Sequence, residues 1–256
     1  MTISAARSVG VQSWTFRNTK TLPDLIAQVK ASGVTSLELC GAHANFDAPA
    51  TQTESIAALK AAGIAIRSMG VQTFTGDTAR ENQWGAFAKA AGVETITAHF
   101  KVDSFREAVK SAAAMAEAYD LKIAIHCHGG YMFGGSADIL THLLELGGPR
   151  IGLCIDAAWC LQAAGDPVEW VKRFAGRVYG VHYKDFVFAP NGKWSETVIG
   201  SGTLDLPAFV QALDQHGFTG HAVIEYEGDP AHPIPAVIAG VAAIQAVPVT
   251  TAKASA

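Results

Sequence analysis

The sequence predicts an α/β fold, a single (β/α)₈ TIM barrel of eight parallel strands and eight helices. Short aliphatic or β-branched segments recur about every 25 to 35 residues, each followed by an Ala-rich amphipathic segment. These segments are nearly all apolar, which is typical of parallel strands buried on both faces. A length of 256 residues suits one barrel-sized domain over 1–256, and we expect 249–256 to be a flexible tail.

Eight segments have the composition of buried strands. They are SVGVQSW (8–14), VTSLELC (34–40), IAIRSMGV (64–71), VETITAHF (93–100), LKIAIHCH (121–128), RIGLCID (150–156), VYGVHYKD (178–185) and HAVIEYE (221–227). The alternative fold is an open doubly wound sheet, but no Gly-x-Gly-x-x-Gly turn follows any of these segments. The barrel is therefore the better prediction.

Helix start and stop signals separate the predicted strands. TLPDLIAQVKASG (21–33) has Pro23 near its first turn and ends at Gly33, as helices commonly do. The segments 53–63 and 84–92 also end at a glycine, and 104–120 is the longest and richest in alanine. The remaining predicted helices are 137–147, 166–176, 204–217 and 233–247.

Composition and charge exclude several classes of protein. With 49% hydrophobic and 16% charged residues, the chain is not expected to be disordered. A net charge of −4 argues against nucleic acid or an anionic membrane as partner, since both require a basic face. No apolar run is long enough for a transmembrane helix, and the start of the chain lacks the features of a secretory signal. The four cysteines show no repeated CxxC spacing, so we expect reduced thiols in a cytoplasmic protein. The sequence is compatible with either a monomer or a homo-oligomer.

Polar residues gather at the carboxyl ends of the predicted strands, where barrel enzymes carry their catalytic groups. They are Trp14, Glu38, His99, His126, His128, Asp156, His182, Lys184, Glu225 and Glu227. Side chains alternate across a strand, so His126 and His128 project to one side, as do His182 and Lys184. We expect these groups to converge at the barrel mouth.

Four of these residues form a candidate metal site. His126, Asp156, His182 and Glu225 come from four successive strands. Burying two imidazoles and two carboxylates is costly unless a cation compensates them. Mixed histidine and carboxylate ligands suit a divalent metal ion. We expect Mn²⁺ first, with Zn²⁺, Co²⁺, Fe²⁺ or Mg²⁺ as alternatives.

The other histidines show no such pattern. His43, His142, His216 and His232 fall in predicted loops or on helix surfaces, and His221 opens the last strand at the opposite end of the barrel. None of the five is expected to take part in the site.

Three segments resemble the xylose isomerase-like TIM-barrel superfamily. They are VHYKD (181–185), GSGTLDLPAFVQAL (200–213) and VIEYE (223–227). They resemble its signature of His-x-Lys-Asp, a Gly-x-Gly-x-hydrophobic-Asp stretch and a strand ending in Glu-x-Glu. Members are often called sugar phosphate isomerases/epimerases and are related to the family 2 apurinic endonucleases. LELCGAHANFD (37–47), GVQTFTGD (70–77) and IGLCID (151–156) extend the resemblance over the whole chain.

The resemblance implies one divalent metal held by strands five to eight, with Asp156, His182 and Glu225 at the matching positions. Strand five departs from the epimerase pattern, because His126 stands where the epimerases carry a glutamate. Strand six departs as well, since the family's Asp-x-x-His reads Asp156-Ala-Ala-Trp159. The endonuclease branch fits poorly, because it needs several zinc ions and a basic DNA groove.

The resemblance also implies a function on sugars. The leading hypothesis is a sugar isomerase or epimerase that enolises a keto-sugar, with Glu225 or a strand-five histidine removing the proton next to the carbonyl. His128, His99 and Lys184 are the candidates for the second proton transfer. The alternative is a lyase that eliminates a β-leaving group from a 3-keto sugar or 3-keto-glycoside. A non-catalytic sugar or metal binder is a third hypothesis.

Further residues are expected to contact the sugar. Trp14, Phe16 and Trp159 would line the pocket, because aromatic faces pack against sugar C–H surfaces. Glu38 and Glu227 would bind the substrate. Gly200 and Gly202 suit either a phosphate-binding turn or a tight turn before a helix. The sequence favours the turn, and so a substrate without phosphate.

Overall fold

The computed structural model describes residues 3–129 and 133–249. The described strands are β1 (Val9–Gln12), β2 (Ser36–Leu39), β3 (Ala65–Phe74), β4 (Thr95–Phe100), β5 (Lys122–His126), β6 (Ile151–Asp156), β7 (Val178–Tyr183), β8 (Asp185–Phe188), β9 (Trp194–Thr197) and β10 (His221–Ile224). The described α-helices are α1 (Leu22–Ala31), α2 (Pro49–Ala61), α3 (Thr78–Ala91), α4 (Phe105–Tyr119), α5 (Ala137–Gly147), α6 (Ala157–Gln162), α7 (Pro167–Arg173), α8 (Leu206–Gln215) and α9 (Ile234–Ala246).

Eight strands close into one barrel, in the order β1-β10-β7-β6-β5-β4-β3-β2. Neighbouring barrel strands pair in parallel all the way round. Every residue of β6 and β7 is buried, as expected for strands between a barrel core and a helix layer. The predicted TIM barrel is confirmed.

Local signals in the sequence explain where many helices begin and end. The Thr21 side chain accepts a hydrogen bond from the backbone of Asp24 at the start of α1, and Pro23 lies in the first turn. Gly33, Gly63 and Gly92 follow α1, α2 and α3 with left-handed backbone angles, as predicted.

Two helices differ from the prediction at a capping aspartate. Helix α3 begins at Thr78, six residues before the predicted start, because the Asp77 side chain accepts from the backbone of Arg80. The sequence TARENQ has no apolar period, so the pattern did not show this first turn. Helix α6 was not predicted, and the Asp156 side chain caps it.

A hairpin that was not predicted, β8–β9, lies between β7 and α8 outside the barrel. The carboxylate of Asp185 accepts hydrogen bonds from the backbone amides of Gly200, Gly202 and Leu204 at 2.9 to 3.1 Å. A Cβ on Gly202 would lie 2.3 Å from Asp185 Oδ1. The Gly-x-Gly segment is thus a turn folded around Asp185, and its amides are engaged in hydrogen bonds to this side chain.

Strand β10 ends at Ile224, so Glu225 and Glu227 lie in the segment that follows it at the barrel mouth. No helix in the described part of the chain is long and apolar enough to cross a membrane. Cys40, Cys127, Cys154 and Cys160 are all buried and unpaired. Of the predicted tail, residues 250–256 lie outside the described residues.

Candidate metal and active site

The four predicted metal ligands come together at the barrel mouth. His126, Asp156, His182 and Glu225 each contribute one nitrogen or oxygen, and these four atoms lie within 4.8 Å of one another. All four residues are buried. In the parallel register Asp156 pairs with His182, which brings the two ligands level on adjacent strands. His126 Nε2 lies 3.6 Å from Asp156 Oδ2, and His182 Nδ1 lies 3.4 Å from Glu225 Oε2.

Three atoms of this cluster are buried without a hydrogen-bond partner in the described structure. They are His126 Nε2, Asp156 Oδ2 and His182 Nδ1. The other oxygen of Asp156, Oδ1, accepts a hydrogen bond from the backbone of Trp159 at 2.9 Å. Leaving three such atoms unpaired costs several kcal/mol, on the order of 1–3 for each. Two imidazole lone pairs and two carboxylates that converge in this way fit a divalent cation.

The remaining nitrogen of each imidazole is engaged elsewhere. His126 Nδ1 lies 3.2 Å from His99 Nε2, and His182 Nε2 lies 3.0 Å from Glu38 Oε1. Burial, together with the neighbouring His126, lowers the pKa of His99 to about 3, so His99 is neutral. A neutral His99 can accept the Nδ1 proton of His126, and this leaves His126 Nε2 free towards the metal site.

A pocket of about 540 Å³ opens beside these ligands. Its ionisable lining residues are Cys40, His99, His126, His128, Glu225 and Glu227. Trp14 and Trp159 line it as predicted, together with Gln12. None of the described lysines or arginines lies on its wall.

His128 lies against the indole of Trp159, with ring centroids 3.9 Å apart and planes at 22°. Its Nδ1 lies 3.1 Å from the carbonyl oxygen of Gly129 and donates to it. Its Nε2 makes no hydrogen bond to any residue that the structure describes. Burial lowers the pKa of His128, so near neutral pH this nitrogen carries a lone pair.

Lys184, predicted as a catalytic residue, lies behind the pocket wall and is 1% exposed. Its Nζ is 3.2 Å from Glu225 Oε2 and 2.5 Å from Glu227 Oε1. Burial opposes its charge, but Glu225 and then Asp156 raise its pKa above the ordinary value. Its position differs from the prediction, because Lys184 does not line the pocket: it contacts both glutamates from behind the wall, and its charge lowers the pKa of Glu225.

Phe16 and Glu38 also differ from their predicted places on the pocket wall. Phe16 is 1% exposed in the hydrophobic core, because the chain after β1 turns through a 3₁₀ helix that directs this ring inward. Trp14 of the same turn stays 40% exposed, and its Nε1 donates to Glu227 Oε2. Glu38 is fully buried inside the barrel. Burial raises its pKa, but His182 outweighs that effect and holds the pKa well below the ordinary value.

His221, predicted to have no role, is a member of the buried network. Its Nε2 lies 2.9 Å from Glu38 Oε2. The ring enters the barrel beside Gly180, where a Cβ would lie only 2.4 Å from His221 Cε1. A glycine two residues before His182, on the same strand face, was the sequence signal for this space.

Three other residues near the site were missed. Gln12 ends β1 and donates from Nε2 to Glu38 Oε1 at 2.6 Å, and its polar side chain at a strand end was a usable signal. The β8–β9 hairpin brings Trp194 edge-on to Trp159, with centroids 5.0 Å apart. It also brings Glu196, whose Oε1 accepts from the backbone of Glu227. Nothing in the periodicity of the sequence indicated this hairpin.

Comparison with known proteins places the chain in a described family. The sequence profile of the family described as xylose isomerase-like TIM barrel matches residues 3–247. The rhizopine catabolism protein MocC of Rhizobium meliloti is 32% identical over 145 residues, which span 50% of this chain and 44% of MocC. The 3-oxo-isoapionate decarboxylase of Pectobacterium atrosepticum is 24% identical over 221 residues, 80% of this chain and 77% of that protein.

An inosose dehydratase of Geobacillus kaustophilus is 27% identical over 150 residues, 51% of this chain and 48% of the dehydratase. The match thus spans about half the length of two of these three relatives. By their names, the decarboxylase and the dehydratase are enzymes of sugar-like compounds.

Solved structures share the fold. A xylose isomerase-like TIM barrel protein from Mycobacterium smegmatis in complex with magnesium superimposes with a TM-score of 0.77 at 13% identity, over 96% of this chain and 98% of that one. The IOLI protein with a zinc atom has a TM-score of 0.71 at 14% identity, over 93% of this chain and 97% of that one. At such low identity the likeness establishes the barrel alone.

Proposed function

Because this chain belongs to the xylose isomerase-like TIM barrel family, we propose that it is a metal-dependent lyase of the dehydratase type. Its substrate would be a keto-sugar or a cyclic keto-polyol. The enzyme would remove a proton next to the carbonyl and then eliminate the β-hydroxyl as water. The observation that carries this proposal is His128, a neutral imidazole with a free Nε2 on the pocket wall beside the four converging ligands.

His126, Asp156, His182 and Glu225 would hold the cation. When bound, a divalent cation acts as a Lewis acid that polarises a ketone and acidifies the neighbouring C–H bond. Two imidazole and two carboxylate donors suit Mn²⁺, Zn²⁺, Co²⁺ or Fe²⁺, and Mn²⁺ stays our first prediction. The zinc and magnesium named in the two similar structures support a divalent ion without selecting one.

His128 is the proton acceptor of this proposal. The α-proton moves to its Nε2, and the electrons of the C–H bond form a carbon–carbon double bond. The C–O bond at the β-carbon breaks, and the departing hydroxyl takes a proton from His128, so that water leaves and the imidazole is restored. Trp159 keeps the ring in position by stacking on it.

The other ionisable lining groups are engaged. His126 and Glu225 belong to the metal site, and His99 Nε2 faces His126. Glu227 contacts Lys184 and Trp14 through its two oxygens. Burial raises the pKa of the Cys40 thiol, which keeps it protonated. Epimerisation, the first hypothesis from sequence, requires a second group that returns the proton to the opposite face, so one free base favours elimination.

An uncharged substrate is part of the proposal. The described part of the chain places no lysine or arginine on the pocket wall that could pair with a phosphate or a carboxylate. The amides of Gly200 and Gly202 are taken by Asp185. Trp14 and Trp159 offer aromatic surface to sugar C–H groups.

The test is an incubation in D₂O of the Mn²⁺-loaded protein with three neutral substrates: an inosose, a free ketose and a 3-keto-glycoside. We expect metal-dependent loss of water from the cyclic ketone, followed by NMR and by the absorbance of the conjugated enone. Release of an aglycone without dehydration would indicate the deglycosylating lyase. Deuterium exchange with inversion at the α-carbon and no elimination would indicate an epimerase instead.

A further inference from the structure

The carboxylate of Glu38 occupies the centre of a buried polar network inside the barrel. Glu38 is fully buried in β2 and takes no part in the pocket wall. It contacts His182 at Nε2, whereas the other ring nitrogen, Nδ1, faces Glu225 of the candidate metal site. One imidazole therefore joins a buried anion to the candidate metal site.

Both oxygens of this carboxylate are fully used. Oε1 accepts from Gln12 Nε2 at 2.6 Å and from His182 Nε2 at 3.0 Å. Oε2 accepts from Ser68 Oγ and from Thr97 Oγ1, each at 2.7 Å, and faces His221 Nε2 at 2.9 Å. Five donors around one carboxylate fix both its position and its charge, because an anion accepts stronger hydrogen bonds than a neutral group.

This arrangement determines the protonation pattern of His182. A proton on Nε2 points at Glu38, so the lone pair lies on Nδ1, which has no partner among the described residues and faces Glu225. A carboxylate that holds the outer N–H of a metal-binding imidazole orients the ring and makes it a more basic ligand.

We propose that Glu38 is a positioning residue that acts through His182 to set the metal affinity of the site. This inference rests on the metal site of the proposed function. His221 contacts the second carboxylate oxygen of Glu38. We therefore assign His221, which takes no part in the proposed reaction, the role of holding Glu38 in place.

Cys154, His182 and His221 also lie close enough together to suggest a second metal site. The Nε2 atoms of both histidines already contact Glu38. His182 Nδ1 faces Glu225 in the first candidate metal site, so we describe the cluster as part of the hydrogen-bond network that supports His182.

The first measurement uses the wild-type protein loaded with Zn²⁺, a diamagnetic probe. Long-range ¹⁵N–¹H correlations of the histidine rings are expected to show zinc on Nδ1 of His182 and a slowly exchanging proton on Nε2. Zinc on Nε2 of His182 would overturn the proposal even if no Glu38 variant folds.

The second measurement compares metal affinity by competition with a chelator. We expect Glu38→Gln to weaken Zn²⁺ and Mn²⁺ binding by about 10- to 100-fold and to shift the His182 Nε2–H resonance. The matched control is Glu81→Gln, because Glu81 is also buried and accepts two backbone N–H bonds, but from Thr75 and Gly76. Wild-type affinity and an unshifted resonance in Glu38→Gln would refute this inference alone, whereas no binding by the wild type would refute the proposed function.

Discussion

The backbone amide of Trp159 donates to Asp156 Oδ1 at 2.9 Å, while the indole of the same residue stacks on His128. One residue thus orients a metal ligand through its backbone and the proposed base through its side chain. Trp159 therefore connects the two halves of the site through these two contacts and adds no titratable group.

Replacing Trp159 by alanine is expected to lower kcat about 10- to 100-fold, because His128 loses the surface that holds its ring in a reactive position. Metal affinity should stay near that of the wild type, since the backbone bond to Asp156 remains. Steady-state kinetics and chelator competition measure the two effects. Trp194→Ala, a tryptophan on the hairpin, is the comparison and should lower kcat less. Equal losses in both variants would argue against a specific role of the stacking.

His128→Asn is expected to lower kcat by about 10² to 10⁴, because the amide cannot take up the α-proton. Wild-type metal content should be retained, since His128 is not one of the four ligands. The rate of deuterium exchange at the α-carbon is the direct measurement. His232→Asn, at a histidine whose side chain is 81% exposed, is the control. Exchange at the wild-type rate in His128→Asn would assign the base to another residue.

Gly180→Ala is expected to destabilise the protein by about 2 kcal/mol, because the new Cβ would overlap the ring of His221. Displacing His221 should also weaken metal binding through Glu38. Urea unfolding measures the first effect. Gly41→Ala is the control, since a Cβ there meets no atom within 4 Å and the backbone angle is not left-handed. Similar stabilities for the two variants would contradict the packing described for His221.

Glu196 predicts a pH dependence of stability in the metal-free protein. Burial raises the pKa of Glu196 to about 7, while its ordinary value is 4.5. Between these two values the folded state holds a proton that the unfolded state has released, so the Glu196 contribution to stability decreases as pH rises. Glu196→Gln removes this contribution, and its stability relative to wild type should increase by about 3 kcal/mol from pH 4.5 to 7.5. Thermal unfolding at each pH measures this difference. A difference in unfolding free energy between Glu196→Gln and wild type that stays constant across the pH range would contradict the prediction.

The barrel and the convergence of the four candidate ligands could be predicted from the sequence, because both follow from strand periodicity. Apolar segments define the strands, and polar residues at their ends must converge where parallel strands open. Asp156, His182 and Glu225 fall at such ends, and so does His126. The expected pocket residues Trp14 and Trp159 follow from the same geometry.

The buried network of Glu38, His182 and His221 could not be predicted in this way. Strands of a barrel are tilted, so the first residue of β10 can lie level with residues further along its neighbours. His221 therefore meets Glu38 inside the barrel although it opens its own strand. The burial of Phe16 in the core depends on a 3₁₀ turn, and the position of Glu196 near the site depends on an inserted hairpin. Neither feature has a period that the sequence reveals.

The most direct test is the binding of a divalent ion by the purified protein, measured by equilibrium dialysis with Mn²⁺ or Zn²⁺ followed by elemental analysis. We expect one ion per chain in the wild type, and binding at least about 100-fold weaker in Asp156→Asn, because that change removes an anionic ligand. Wild-type protein without a bound ion, or an unchanged affinity in Asp156→Asn, would contradict this expectation.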